Sequence, residues 1–335
     1  MQINTLILLI VLSVASNASA SSLFEEDTVL EVRLSGPLTS LLEDKDDGKE
    51  LPFLLHADDT EHSVKVRLRG KSRKIVCDFP PLRINFKVSD TELSIFEGQD
   101  KLKLATQCQQ HDSAEADILQ EYAAYRIFNL ISEFSYRVRL LHVTYTNTEG
   151  RPEKNTFTRY GFLIESSSEL ADRVGGQLAH VTGVSLSSLD SKQAATVFIF
   201  QYLIGNTDWS LVTADKSDRC CHNGDVFDVG SVRYYVPYDF DLSGLVNARY
   251  ARPDPSLRIR RVTQRLYRGH CIPIDAVENA LRDLKSRRVD ILNEIGQVPG
   301  LSQKEIESMT EYIERFFAEA NNESKILRSF ERNCL

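Results

Sequence analysis

The sequence lacks most of the features that would place it inside a membrane or on a nucleic acid. Apart from residues 6–14 it has no long apolar run, and those nine are too few to cross a bilayer as a mature helix. Basic residues are not in excess: 40 Lys and Arg stand against 48 Asp and Glu, for a formal charge of -8. That balance argues against a partner held by phosphate neutralisation, so no nucleic acid is expected. There is no C-x-x-C pair, the usual spacing of a zinc site, and no G-x-G-x-x-G loop. With 16 Gly and 10 Pro in 335 residues, the chain is neither collagen-like nor of low complexity.

What remains is an ordinary globular composition, 42% apolar and 26% charged, with length enough for one large core or two moderate ones. The apolar run at 6–14 ends in Ala18-Ser19-Ala20, an A-x-A step of the kind signal peptidase cleaves. Residues 1–20 are therefore read as a signal peptide. The remainder is expected in the periplasm or outside the cell, without a membrane span. Six cysteines in such a compartment predict three disulfides whose pairing the sequence leaves open. Cys220-Cys221-His222 has the composition of a metal site but no partner pair, which favours a disulfide or free thiols.

Residues 28–105 read mostly as strands. Val64-Lys65-Val66-Arg67-Leu68-Arg69 alternates strictly, and Leu82-Arg83-Ile84-Asn85-Phe86-Lys87 resumes the alternation after Pro80-Pro81. Residues 102–104 form a third short strand. Ile118, Leu119, Tyr122, Ile127, Leu130 and Ile131 recur at helical spacing over 114–131. Strands follow over 138–146 and 158–165. Beyond them the chain turns helical: a buried helix over 194–205, a strand over 232–240, and one amphipathic helix through Val277, Leu281, Leu284, Ile291 and Ile295. Another starts at Ser302, which with Glu305 makes a capping box. The expected fold is α+β with two lobes, a β-rich one over 21–165 containing one inserted helix and an α-helical one over 166–335.

Three segments carry residues suited to chemistry. Gly205-Asn206-Thr207-Asp208-Trp209 follows the buried helix; Asp208 is placed to accept a proton, or simply belongs to an Asx turn that ends the helix. Tyr238-Asp239-Phe240-Asp241 puts two carboxylates on one side of an extended, otherwise apolar chain. They call for a cation, either Mg2+ or Mn2+ or a basic side chain in a salt bridge, unless the segment is simply a turn before Gly244. His222-Asn223 lies between, and Asn223 offers a neutral oxygen ligand.

The order of these segments resembles the spore-coat-protein-H (CotH) kinase-like family, and they are also similar to toxin kinases of the HipA type. Both carry N-x-D in the catalytic loop and a Y-D or W-D step at the metal strand. Arg67-Leu68-Arg69-Gly70-Lys71-Ser72 resembles the early R-x-R-G-x-S stretch of the spore-coat kinases. Arg159-Tyr160-Gly161-Phe162-Leu163-Ile164-Glu165 resembles their G-x-Y-x-x-x-E strand before the hinge. The resemblance implies an atypical protein-kinase-like fold binding ATP with Mg2+ or Mn2+ between two lobes, with a protein hydroxyl as acceptor. It makes Asp208 the catalytic residue and Asn223, Asp239 and Asp241 the metal ligands. Nucleotide would meet Arg69, Lys87 or Lys103, with Glu121 pairing one of them and Glu165 at the hinge. Asn223 comes 15 residues after Asp208, and Trp209 stands where a basic residue is usual. The alternatives are therefore an inactive pseudokinase or envelope scaffold, and a Ca2+-stabilised structural protein.

Two basic stretches have double readings. Arg258, Arg260, Arg261, Arg265 and Arg268 either hold an acidic substrate or phosphate groups, or pair with the chain's surplus acids. The face of Lys65, Arg67, Arg69, Lys71 and Arg73 is either phosphate-facing or a solvated edge strand. Gly70-Lys71-Ser72 is not a P-loop, because Lys65 stands at the first glycine position and no long helix can run into Pro80-Pro81.

Overall fold

Alternation of apolar and polar side chains folds the first half of the chain into strands that close on themselves. A computed structural model of the protein describes residues 23–44, 49–70, 72–109, 111, 114–150, 155–212 and 220–335. The expected signal peptide and Lys71 lie outside these residues. The strands are β1 (Leu30–Gly36), β2 (Leu51–Ala57), β3 (Thr60–Leu68), β4 (Leu82–Asn85), β5 (Lys101–Ala105), β6 (Val138–Asn147) and β7 (Thr156–Ile164). They form a closed barrel in the order β1-β2-β3-β4-β5-β7-β6. Every neighbouring pair is antiparallel except β1 and β6, which run parallel with Leu30 opposite Leu141 and Val32 opposite Val143.

Closure corrects one expectation. β3 pairs with β2 on one side and β4 on the other, so its basic face is no edge strand. Val64, Val66 and Leu68 fill the barrel interior with Leu34, Leu82, Leu102 and Val143, which sends Lys65 and Arg67 outward. The opposite faces of β6 and β7 present Leu140 and Phe162 to a second core.

That second core gathers the helices. Helix α1 (Leu38–Glu43) and the one-turn α2 (Arg73–Val76) interrupt the barrel, so it holds more than the single helix expected. Helix α3 (Glu115–Ile131) packs across β6 and β7, its Ile118, Tyr122, Tyr125 and Phe128 buried. Then follow α4 (Ser167–Arg173), β8 (Gln177–Leu178), α5 (Ser191–Ile204), β9 (Gly224–Val229), β10 (Val232–Pro237), α6 (Ile274–Ser286), α7 (Arg288–Gln297), α8 (Gln303–Ala320) and α9 (Glu323–Asn333). Strands β10, β9 and β8 make a small antiparallel sheet. The class is α+β, as expected.

The amphipathic stretch 277–295 is two helices, broken where Arg287 donates its N–H to the carbonyls of Leu284 and Lys285. The seven-residue step from Leu284 to Ile291 suits a continuous helix equally well, so periodicity does not reveal the break. The capping box at Ser302 and Glu305 is present as expected. Disulfides join Cys77 to Cys108, Cys220 to Cys221 and Cys271 to Cys334, which makes Cys220-Cys221 a disulfide rather than a zinc ligand pair. No helix among the described residues is long and apolar enough to cross a membrane.

A chain of rings links this core to the acidic segment after β10. Phe200 of α5 meets Phe128 of α3 at 4.5 Å between centroids and Phe240 at 5.3 Å, and Phe240 meets Tyr125 at 4.6 Å. Phe200 and Phe240 are fully buried. Truncating Phe200 leaves a cavity at this junction, so F200A is expected to lose roughly 3–5 kcal/mol of unfolding free energy in a urea titration. A loss below about 1 kcal/mol would show that the ring chain is not a packing joint.

Candidate functional site

The site is assembled at the ends of four elements. Helix α5 stops at Gly205, whose φ of 66° is left-handed and whose missing Cβ leaves room for the Tyr312 hydroxyl. The chain then turns on Asn206, whose Oδ1 accepts the Asp208 N–H at 3.0 Å. This is the Asx turn foreseen as the plain alternative, yet it does not consume the Asp208 carboxylate. Asp208 Oδ1 is 2.8 Å from His222 Nε2, and Oδ2 accepts from Asn223 Nδ2 at 2.9 Å. The same Nδ2 donates to the Asp208 carbonyl at 2.7 Å. The 15-residue separation is thus closed by contact, although Asn223 reaches Asp208 through its amide nitrogen. Its Oδ1 stays available as a ligand.

His222, with the hydrogen bond it donates to the Asp208 carboxylate as the main cause, is held above the usual imidazole range despite partial burial. Neither the proximity of His222 to Asp208 nor any role for it was evident in the sequence.

Asn223 also connects this pair to the acidic segment. Its carbonyl accepts the Tyr238 N–H at 3.1 Å, and the next N–H, of Asp239, donates to the Tyr125 hydroxyl at 2.9 Å. The segment is not extended, as the alternation suggested: β10 ends at Pro237 and Asp239 has a left-handed φ of 64°. Asp239 and Asp241 nevertheless converge, because one cation draws both. The Arg73 guanidinium lies 2.7 Å from Asp239 and 2.8 Å from Asp241, with Glu121 of α3 at 3.4 Å. Tyr250 donates a further hydrogen bond to Asp241.

Glu121, Asp239 and Asp241 form a candidate cation site, their ligand oxygens within 4.8 Å of one another. Three hard carboxylate donors around an existing positive group suit Mg2+ or Mn2+, which would take the oxygens that Arg73 now holds. Electrostatics reflects one cation among three acids. Burial alone would depress Arg73, but Asp241, Asp239 and Glu121 outweigh it and hold the guanidinium well above its ordinary value. Burial raises Glu121 and Asp241 in turn. Arg73 opposes that rise, but each acid also feels the others and burial wins.

The expected nucleotide contacts divide. Arg69 and Lys103 line the same small cleft as Arg73, Glu121, Tyr125 and Asp239, with Ala105, Ile164 and Tyr238 as its less polar wall. Its free volume is only about 10 Å³, far below the roughly 300–1,000 Å³ of ligand cavities, so these side chains largely fill it. The Arg69 side chain makes no hydrogen bond or ion pair among the described residues, and burial pulls its pKa down while Asp239 opposes this. Lys103 sits over the rings of Tyr136 and Tyr238, 5.5 and 5.1 Å from their centroids. Lys87 lies elsewhere, exposed and paired with Asp90 at 2.9 Å. Glu165 is also outside the cleft; it accepts from Arg173 and from the Arg137 N–H, joining β7 to β6 and α4. Arg73 is the partner of Glu121 that sequence reasoning missed. The alternation carries it onto the basic face of the strand, whereas it stands past Gly70 on the one-turn α2, which turns it toward the acids.

The sequence matches no protein-family profile and no curated protein. Among solved structures the chain is similar to a Helicobacter pylori proinflammatory kinase, CtkA, at a TM-score of 0.36 and 12% identity. That comparison covers 86% of this chain and 93% of the other. At that level no residue role carries across, and the roles above rest on this chain's own side chains.

The raised acid sets a pH dependence. Glu121 is 2% exposed, and its ordinary value of 4.5 is pushed to about 8 in the folded chain. Its contribution therefore favours folding at low pH and is lost as pH rises through about 8. Melting temperature is expected to decline between about pH 4.5 and 8, and E121Q should flatten that decline. An unchanged slope in E121Q would place the titrating group elsewhere.

Proposed function

We propose that the protein is an exported phosphotransferase of kinase-like design, its barrel-bearing lobe (21–165) and helical lobe (166–335) holding ATP and a divalent cation between them. The observation that carries this reading is the link from Asp208 through Asn223 to Asp239. It puts a proton-accepting carboxylate next to a cation-binding carboxylate set and a cleft with two further basic side chains. Asp239, Asp241 and Glu121 would hold the cation, with Asn223 Oδ1 as an additional donor. Once bound, the cation would neutralise charge on the transferred phosphoryl group.

The chain's own residues supply the rest. Asp208 orients the acceptor hydroxyl and takes its proton as the new oxygen–phosphorus bond forms and the bond to the leaving nucleoside diphosphate breaks. Asn223 and His222 fix the rotation of that carboxylate, leaving lone pairs for the incoming O–H. Arg69 and Lys103 face the phosphate oxygens. A second reading, a non-catalytic relative that binds nucleotide or another anion, is favoured by Arg73, since a metal must displace its guanidinium from Asp239 and Asp241.

Thermal stabilisation separates the readings. ATP with Mg2+ or Mn2+ is expected to raise the melting temperature of the wild type and not of D239A. The gain corresponds to about 2.7 kcal/mol at ligand a hundredfold above Kd. A metal-independent response to ATP supports the second reading, and stabilisation by Ca2+ alone supports a structural cation. No response to nucleotide under any metal overturns both nucleotide readings. D208A is then expected to abolish autophosphorylation, followed by phosphate incorporation, while keeping the nucleotide-induced shift. Surviving phosphorylation would remove Asp208 from the mechanism.

A further inference from the structure

Seven arginines and a single aspartate lie between Asn247 and Cys271, on a chain that is acidic overall. The segment has no regular helix or strand, yet it is firmly built. Val246, Ala248, Ala251 and Val262 form their own small core with Leu242 and Tyr250. At one end Tyr250 is bonded to Asp241. Farther along, the Arg265 guanidinium donates to the carbonyls of Tyr202, Leu203 and Tyr312 and stacks 4.0 Å over the Tyr312 ring. Gln264 Oε1 accepts the backbone N–H groups of Arg260 and Arg261, and Cys271 is bonded to Cys334.

Arg265 is therefore structural. Among the described residues the others form no ion pair with the chain's surplus acids, contrary to one of the two readings of this stretch, and only Asp117 is held by Arg249, through its backbone N–H and its charge. Arg249, Arg252, Arg258, Arg260 and Arg261 are exposed, and none makes an ion pair among the described residues. The segment's only acid, Asp254, accepts from the Ser256 N–H instead. Arg268 is half-buried near His222, and its Nε is buried without a hydrogen-bond partner. Arg268 makes no ion pair among the described residues and is near enough for its charge to act on His222, and five exposed guanidinia lie on the same segment.

We propose that this segment is the docking surface for an acidic polypeptide, with Arg268 receiving the carboxylate nearest the hydroxyl presented to Asp208. The proposal rests on the phosphotransfer reading for its acceptor, and on the charge pattern for its surface. Charge distribution also selects the partner. A bilayer or a duplex extends over the acidic remainder of the molecule and is repelled there, whereas a short acidic peptide feels mainly the arginines within a Debye length of about 8–10 Å.

Binding can be read without turnover. Fluorescein-labelled peptides of equal length, each with a central serine flanked by Glu and Asp, by Gln and Gly, or by Lys, are titrated with the full chain and followed by anisotropy. The acidic peptide is expected to bind at least about tenfold more tightly than the neutral one at low salt, and to lose most of that advantage near 0.5 M salt. R258Q/R260Q/R261Q should erase the preference, and R268Q should weaken the acidic peptide alone. Melting curves of both variants check that they are folded.

Equal binding of the three peptides, or a preference that survives the triple substitution, overturns the proposal. Tighter arginine-dependent binding to anionic phosphatidylserine vesicles than to the acidic peptide overturns it in favour of a membrane. ATP-induced melting shifts on the same wild-type samples keep the two ideas apart. Intact shifts with indifferent peptide binding sink the docking surface alone. Arginine-dependent peptide binding without any nucleotide response sinks the phosphotransfer reading and leaves the surface standing.

Discussion

The arrangement of the site depends on one guanidinium. Arg73 stands on a single helical turn that leaves the barrel after Gly70, and it meets Glu121 from the helix across the barrel and Asp239 and Asp241 from the segment after β10. Without a cation there, three carboxylates would crowd in a mostly buried space, at a cost no packing of rings would offset. With it, parts of the chain more than a hundred residues apart are drawn to one point. The disulfide from Cys77 to Cys108 holds the turn that carries Arg73 in place.

The same contact makes the site two-sided in its chemistry. Side chains that suit a divalent cation are already balanced by a side-chain cation, so metal binding and the Arg73 pairing compete for the same oxygens. On the other side of Asn223, Asp208 is held by two neutral or titratable donors and stays half-exposed, as a group does that must still accept a proton. Beyond it the arginine segment turns the local charge positive on a molecule that is negative overall. The acidic core and the basic rim share an anchor, because Tyr250 joins Asp241 to the start of the segment.

Much of the fold was legible. Strands β3, β4, β6 and β7 announce themselves because a half-buried strand must alternate, and α3 and α8 because their buried faces repeat every three or four residues. Ser302 and Glu305 mark the start of α8 through a local exchange of hydrogen bonds that needs no tertiary context. The segments bearing Asp208, Asn223, Asp239 and Asp241 could also be picked out, since paired acids in apolar surroundings require an explanation. Lys87 and Glu165 show the limit. Lys87 is one of three possible basic groups and Glu165 fits a motif, but the first is exposed beside Asp90 and the second is bound by Arg173.

By itself the sequence determined the element types, the α+β class, the positions of the acids and the surplus of arginine between Asn247 and Cys271. These follow from spacing and composition, which act over a few residues. Only the tertiary structure decided that the barrel closes through the parallel contact of β1 with β6, and that Arg73 rather than Lys87 pairs with Glu121. It alone decided that Asn223 returns to Asp208 and that the exposed arginines form no ion pair among the described residues. Each of those outcomes joins groups distant in the chain, and their pairing is set by burial and by the competition of several partners for one space, which no local pattern records.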